Sequence, residues 1–71
     1  MTRILTNGLF NLIFEHSETS CGYVERIVDA TTGGKISIKH FNSILAVENV
    51  INEYLESGIY EEVKWNTGKY I

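Results

Sequence analysis

The chain has 71 residues and a net charge of −3 at neutral pH, with an isoelectric point near 5.2. This length allows one domain, residues 1–71, with a small core. The single cysteine, Cys21, excludes an internal disulfide, and no run approaches the roughly 20 apolar residues of a membrane span. A lone thiol without a signal-peptide pattern predicts a cytoplasmic protein that does not enter a membrane.

A first strand is predicted at residues 9–15, where apolar side chains alternate. Three of them share one face at a period of two, as in a half-buried strand: Phe10, Leu12 and Phe14. The Asn-Gly pair at residues 7–8 is typical of a tight hairpin turn. Whether residues 2–6 form a strand that pairs across this turn is left open.

A polar loop then leads to a predicted hairpin. Residues 23–30 are rich in β-branched side chains, and residues 35–40 alternate between polar and apolar. The turn at residues 31–34 ends in two glycines, which adopt a positive φ at low cost. The alternation predicts that Ile36 and Ile38 point into the core, while the polar side chains between them face solvent.

The next segment predicts an amphipathic helix that is capped by Asn42 or Ser43. Six apolar residues recur at helical spacing: Ile44, Val47, Val50, Ile51, Tyr54 and Leu55. Gly58 stands where a glycine commonly ends a helix. Residues 59–71 favour a last strand, and an extension of the helix is the alternative left open.

Together these elements predict an α+β fold in the order β-β-β-α-β. An antiparallel sheet of three to four strands carries one amphipathic helix on one face, so that both apolar surfaces are buried between two layers. The sheet is expected to contribute five residues to the core: Phe10, Leu12, Phe14, Ile36 and Ile38.

The sequence contains no arrangement of reactive side chains that is typical of an active site. A thiol nucleophile at Cys21 with a base at His16 or His40 also needs an orienting group and an oxyanion site, and no motif supplies them. The glycine turn before Lys35 departs from the phosphate-binding loop, since isoleucine rather than Ser or Thr follows the lysine. We therefore expect no enzymatic activity, with no catalytic residue, no metal ligand and no cofactor.

Charge is segregated along the chain, because residues 40–63 contain no Lys or Arg. Five glutamates fall in the same stretch: Glu48, Glu53, Glu56, Glu61 and Glu62. Three belong to the outer side of the predicted helix and two follow it. An acidic surface of this kind docks on basic surfaces and speeds encounter with them. The leading prediction is therefore a protein-binding module whose partner has a basic surface.

A small nucleic-acid-binding regulator is the first alternative. Arg26, Lys35 and Lys39 would contact phosphates from the hairpin, and Tyr23 could stack on a base. The negative net charge disfavours this alternative.

The face of the sheet away from the helix supports a second alternative. Four large side chains are predicted to point there: Leu9, Ile13, Tyr23 and Ile27. Apolar groups on an uncovered face mark a partner or homodimer surface. A structural homodimer is thus the third predicted function.

The chain resembles small phage-encoded inhibitor proteins, among them some anti-CRISPR proteins. The likeness lies in its size, its acidity, its composition typical of an AT-rich coding genome, and the β-β-β-α run over residues 9–57. It implies a rigid domain in the host cytoplasm that binds a host defence or nucleic-acid-handling protein and occludes its working surface. No family residue is carried over, because no motif aligns.

Overall fold

The computed structural model describes residues 2–63. In chain order, its elements are β1 (Thr2–Thr6), β2 (Phe10–His16), β3 (Tyr23–Asp29), β4 (Lys35–Phe41), α1 (Ile44–Glu56) and β5 (Glu61–Glu62). The five strands form one antiparallel sheet in the order β4-β3-β2-β1-β5. The predicted α+β fold is confirmed, with β1 as an additional strand. Of the predicted last strand, residues 64–71 lie outside the described residues.

The turn between β1 and β2 explains why β1 joins the sheet. The side-chain Oδ1 of Asn7 accepts hydrogen bonds from the backbone N–H groups of Leu9 and Phe10, at 2.9 and 2.8 Å. Gly8 has a φ of 91°, a conformation that residues with a β-carbon rarely adopt. This geometry reverses the chain and sets the register of the β1–β2 pair.

Asp29 organises the turn between β3 and β4. Its Oδ1 accepts hydrogen bonds from the backbone N–H groups of Thr31 and Thr32, at 2.8 and 3.0 Å. Its backbone carbonyl accepts from the N–H of Gly33 at 2.8 Å, and its own N–H donates to the carbonyl of Gly34 at 2.9 Å. These bonds close the predicted hairpin.

The limits of α1 agree with the capping signals in the sequence. Ser43, rather than Asn42, is the N-cap, and its Oγ accepts a hydrogen bond from the N–H of Ala46 at 3.2 Å. At the other end, Gly58 has a φ of 77° and donates its N–H to the carbonyl of Leu55 at 3.2 Å. Local capping chemistry therefore sets both ends of the helix.

The core lies between α1 and one face of the sheet. Within residues 2–63, five hydrophobic side chains are buried there: Leu5, Leu12, Phe14, Val47 and Ile51. The sequence pattern predicts all of them except Leu5, because residues 2–6 carry no clear strand signal. The ring of Tyr54 extends the core, with its centroid 6.5 Å from that of Phe14 and 5.0 Å from that of Tyr60.

The prediction that Ile36 and Ile38 are core residues is wrong, because β3 and β4 turn their other sides to the helix. Glu25 pairs with Phe14 on one side and with Lys39 on the other, so these three side chains share the helix-facing side of the sheet. Ile36 and Ile38 are 54% and 41% exposed. Alternation identifies the two faces of a strand, whereas the register with its neighbour decides which face the helix covers.

The same register moves two residues of the predicted apolar interface to the helix side. Ile27 pairs with Leu12, and both Ile27 and Tyr23 pack against the core. Phe10, which begins β2, is 36% exposed and is not part of the buried core. The opposite side of the sheet is called the back face, and its residues include Ile4, Ile13, Val24, Arg26, Val28 and Ile38.

Candidate functional site

The side of α1 that faces away from the sheet carries three of the predicted partner-binding residues. Val47 and Ile51 are fully buried against the sheet, which turns the opposite side of the helix to solvent. Glu48, Glu53 and Glu56 are all exposed. At about 100° per residue they span about 140° of the helix surface. We call these three glutamates the acidic face.

Leu45 places an apolar side chain within the acidic face. It is 65% exposed, and at about 3.6 residues per turn its direction falls between those of Glu48 and Glu56. The predicted partner-binding residues do not include Leu45, because it lies outside the apolar stripe of the helix and is not charged. The signal that could have identified it is an apolar residue in phase with the glutamates.

Glu61 and Glu62 do not extend the acidic face. Both carboxylate oxygens of Glu62 accept hydrogen bonds from the guanidinium of Arg3, at 2.8 and 2.7 Å. Glu61 is exposed and pairs with Thr6, and alternation along β5 places it on the opposite side of the sheet from Glu62. The five glutamates that the sequence groups together therefore do not form one surface.

Arg3 also affects the acidic face, through Glu48. The hydrogen bond with Glu62 raises the pKa of Arg3 above its ordinary value, burial opposes this rise, and the charge of Glu48 adds a smaller attraction. Glu48 is therefore close enough for its charge to act on Arg3. Glu53 and Glu56 form no ion pair within the described part of the chain, so both are available to a partner.

The basic residues of the nucleic-acid alternative do not share one surface. Arg26 lies on the back face, with its guanidinium 2.8 Å from a carboxylate oxygen of Glu15. Lys39 lies on the opposite side of the sheet, and Lys35 is exposed where β4 begins. Tyr23 packs against the core instead of standing free to stack on a base.

The residues of the apolar alternative are also divided. Leu9 is 68% exposed in the turn between β1 and β2, and Ile13 is half-buried on the back face. Tyr23 and Ile27 lie on the helix side of the sheet. The back face therefore offers a different set of apolar residues, with Arg26 among them, and the homodimer stays a prediction.

The thiol and the two imidazoles do not converge. Cys21 is exposed in the loop before β3. His16 pairs with Tyr23 on the helix-facing side, whereas His40 pairs with Val24 on the back face. Among the described residues no group of three or more potential metal ligands occurs, and no cavity is found.

Compared with protein-family models, with curated proteins and with solved structures, the chain matches none. At 13 residues α1 is too short to cross a membrane, and it is the only helix in the described range. Residues 2–63 form a small α+β domain in which one helix, with an acidic outer side, packs on a five-stranded sheet.

Proposed function

We propose that the chain is a non-enzymatic protein-binding module that docks its acidic face on a basic surface of a partner protein. The observation that carries this proposal is the exposure of Glu53 and Glu56 on a helix whose other side is buried at Val47 and Ile51. No Lys or Arg occurs within α1 to offset these charges. Burial of Val47 and Ile51 keeps the acidic side of the helix turned to solvent.

Exposed charges arranged in this way mainly raise the rate at which the chain associates with a basic partner protein. They attract an oppositely charged surface over about 8–10 Å at physiological salt, and electrostatic steering raises association rates. Salt screens the attraction, so binding through the acidic face is expected to weaken as the salt concentration rises.

Leu45 supplies the part of the proposed interface that salt does not weaken. Burying a leucine side chain contributes about 1.5–3 kcal/mol when its exposed surface is fully removed from water. At 65% exposure, Leu45 has most of that surface to bury. The partner is therefore expected to have a small apolar depression bordered by Lys or Arg.

Proteins that handle nucleic acids have basic surfaces, since they present Lys and Arg to phosphates. A rigid acidic helix bound to such a surface competes with nucleic acid for the same cations. We therefore propose inhibition by occlusion, which is also the mechanism implied by the resemblance to phage-encoded inhibitors.

Affinity capture tests the proposal. The immobilised chain is incubated with a bacterial lysate at about 50 mM salt, and bound protein is released by steps of rising salt or, separately, by duplex DNA. A partner held by the acidic face is expected to elute in both ways. The double charge reversal Glu53→Lys with Glu56→Lys is expected to abolish its capture.

Two single reversals provide a matched comparison. Glu18 is exposed in the loop between β2 and β3, so Glu18→Lys changes the net charge by the same amount as Glu53→Lys at a different place. Capture should fall with Glu53→Lys and persist with Glu18→Lys. Equal capture by the wild type and the double variant would exclude the acidic face as the binding surface.

A further inference from the structure

Glu25 is a carboxylic acid buried between the sheet and α1. Its side chain lies in the middle of β3 and is 0% exposed. Neither carboxyl oxygen has a hydrogen-bond partner of ordinary geometry within residues 2–63. An ionised carboxyl without such partners is strongly disfavoured in an apolar environment.

The groups that face Glu25 balance its charge incompletely. Tyr54 of α1 and Lys39 of β4 act on it, and both favour the ionised form. Lys39 is exposed, so water screens its charge. Phe14 of β2 lies directly beside Glu25 and has no charge, and Arg3 stands beyond Phe14 in the same row, already engaged in an ion pair.

The balance of these effects raises the pKa of Glu25 above its ordinary value of 4.5. Burial is the largest cause, and the attraction of Lys39 and weak hydrogen bonding with Tyr54 oppose it by less. A carboxyl whose pKa is raised on folding stabilises the fold below its unfolded pKa. That contribution is lost as the pH rises through the folded pKa.

We propose that Glu25 is a proton-binding site that controls how tightly α1 packs on the sheet. With the carboxyl neutral, α1 covers it and Tyr54 remains beside Phe14. An ionised Glu25 needs water, and water reaches it only when α1 moves away from β3. The packing of the helix therefore responds to pH, whether or not its acidic face binds a partner.

An NMR titration of the Glu25 side-chain carboxyl carbon in the full chain is the first test. The apparent pKa is expected above 4.5, and Lys39→Met should raise it further because a cation that favours the charged form is removed. A pKa at or below 4.5, or no rise in the Lys39→Met variant, would overturn the proposal. This test does not depend on how well a Glu25 variant folds.

Hydrogen exchange distinguishes a local effect of Glu25 ionisation on α1 from a loss of stability of the whole domain. At about pH 8, α1 amides of the wild type should exchange faster than those of Glu25→Gln, by up to about tenfold per unit of raised pKa. At about pH 4 the two proteins should agree, because the wild-type carboxyl is then neutral too. Equal exchange of α1 in both proteins at the higher pH contradicts the proposal, as does an equal acceleration in α1, β1 and β2.

Discussion

Gly22 stands where β3 begins, against the end of β4. A β-carbon at this position would overlap the backbone carbonyl oxygen of Phe41. The backbone cannot shift aside without disturbing the neighbouring pair of Tyr23 with Phe41. The position therefore requires glycine because of space, and not because of an unusual φ.

Replacing Gly22 by alanine should lower the free energy of unfolding by about 1–3 kcal/mol, the usual cost of forcing an extra carbon into a packed site. Urea unfolding followed by circular dichroism measures this change. Gly34→Ala is the control, since a β-carbon there would meet only the side-chain oxygen of Thr32, at 3.2 Å, and no backbone atom of another strand. If both substitutions cost the same, close packing at Gly22 is not the reason for the glycine.

Asp29 makes the β3–β4 turn sensitive to acid. Hydrogen bonds from the N–H groups of Thr32 and Thr31 lower the pKa of Asp29 below its ordinary value of 3.8. The ionised group therefore stabilises the fold above about pH 3.8, and this contribution is lost as the pH falls through the folded pKa. Asp29→Asn keeps an acceptor that cannot titrate, so its melting temperature should fall less than that of the wild type below about pH 4. Identical acid profiles in thermal melts would refute this role.

At the scale of the elements, the stability of α1 depends on the N-cap hydrogen bond at Ser43. The bond from the N–H of Ala46 to Oγ of Ser43 satisfies a backbone donor that the helix leaves free. Ser43→Ala should therefore destabilise the domain by about 1 kcal/mol, which lowers the melting temperature by about 4–8 °C in a chain of this length. Asn42→Ala is the matched control, since Asn42 is exposed and does not cap the helix. A larger loss with Asn42→Ala would show that the cap is assigned to the wrong residue.

The ends of an element could be predicted from the sequence where residues next to it in the chain set them. Ser43 and Gly58 mark the ends of α1, because capping is a local interaction. The turn residues separate β3 from β4 for the same reason. The sequence does not predict β1, since five residues are few for a periodic signal and only pairing with β2 makes them a strand.

The register of β3 could not be predicted, because its two faces look alike. Val24 and Val28 lie on one face, while Tyr23 and Ile27 lie on the other. Pairing with β2 decides which face meets the helix, and the alternation within β3 alone does not specify the register of this pairing. The result brings a titratable residue, Glu25, into the core and leaves two isoleucines of β4 outside it.

At the scale of the whole molecule, the candidate site was predicted only in part. Helical periodicity correctly assigns Glu53 and Glu56 to the solvent side. Periodicity could not show that Glu62 binds Arg3, which is 59 positions away in the chain, because that ion pair requires β5 to lie beside β1. The apolar contribution of Leu45 also depends on knowing which side of the helix is covered.

The proposed interface combines two contributions that respond differently to salt. Attraction by Glu53 and Glu56 is screened by ions, whereas the burial of Leu45 is not. Substitutions of the two glutamates should therefore change how the affinity depends on salt, whereas a substitution of Leu45 should change the affinity equally at every salt concentration.

The affinity for a captured partner, measured by calorimetry from about 50 to about 300 mM salt, tests the binding proposal most directly. We predict that wild-type affinity falls as salt rises and that the double variant Glu53→Lys with Glu56→Lys binds weakly, with a flatter salt dependence. Leu45→Ala should weaken binding about tenfold or more at every salt concentration and leave the slope unchanged. A salt dependence that the double variant does not alter would contradict docking through the acidic face.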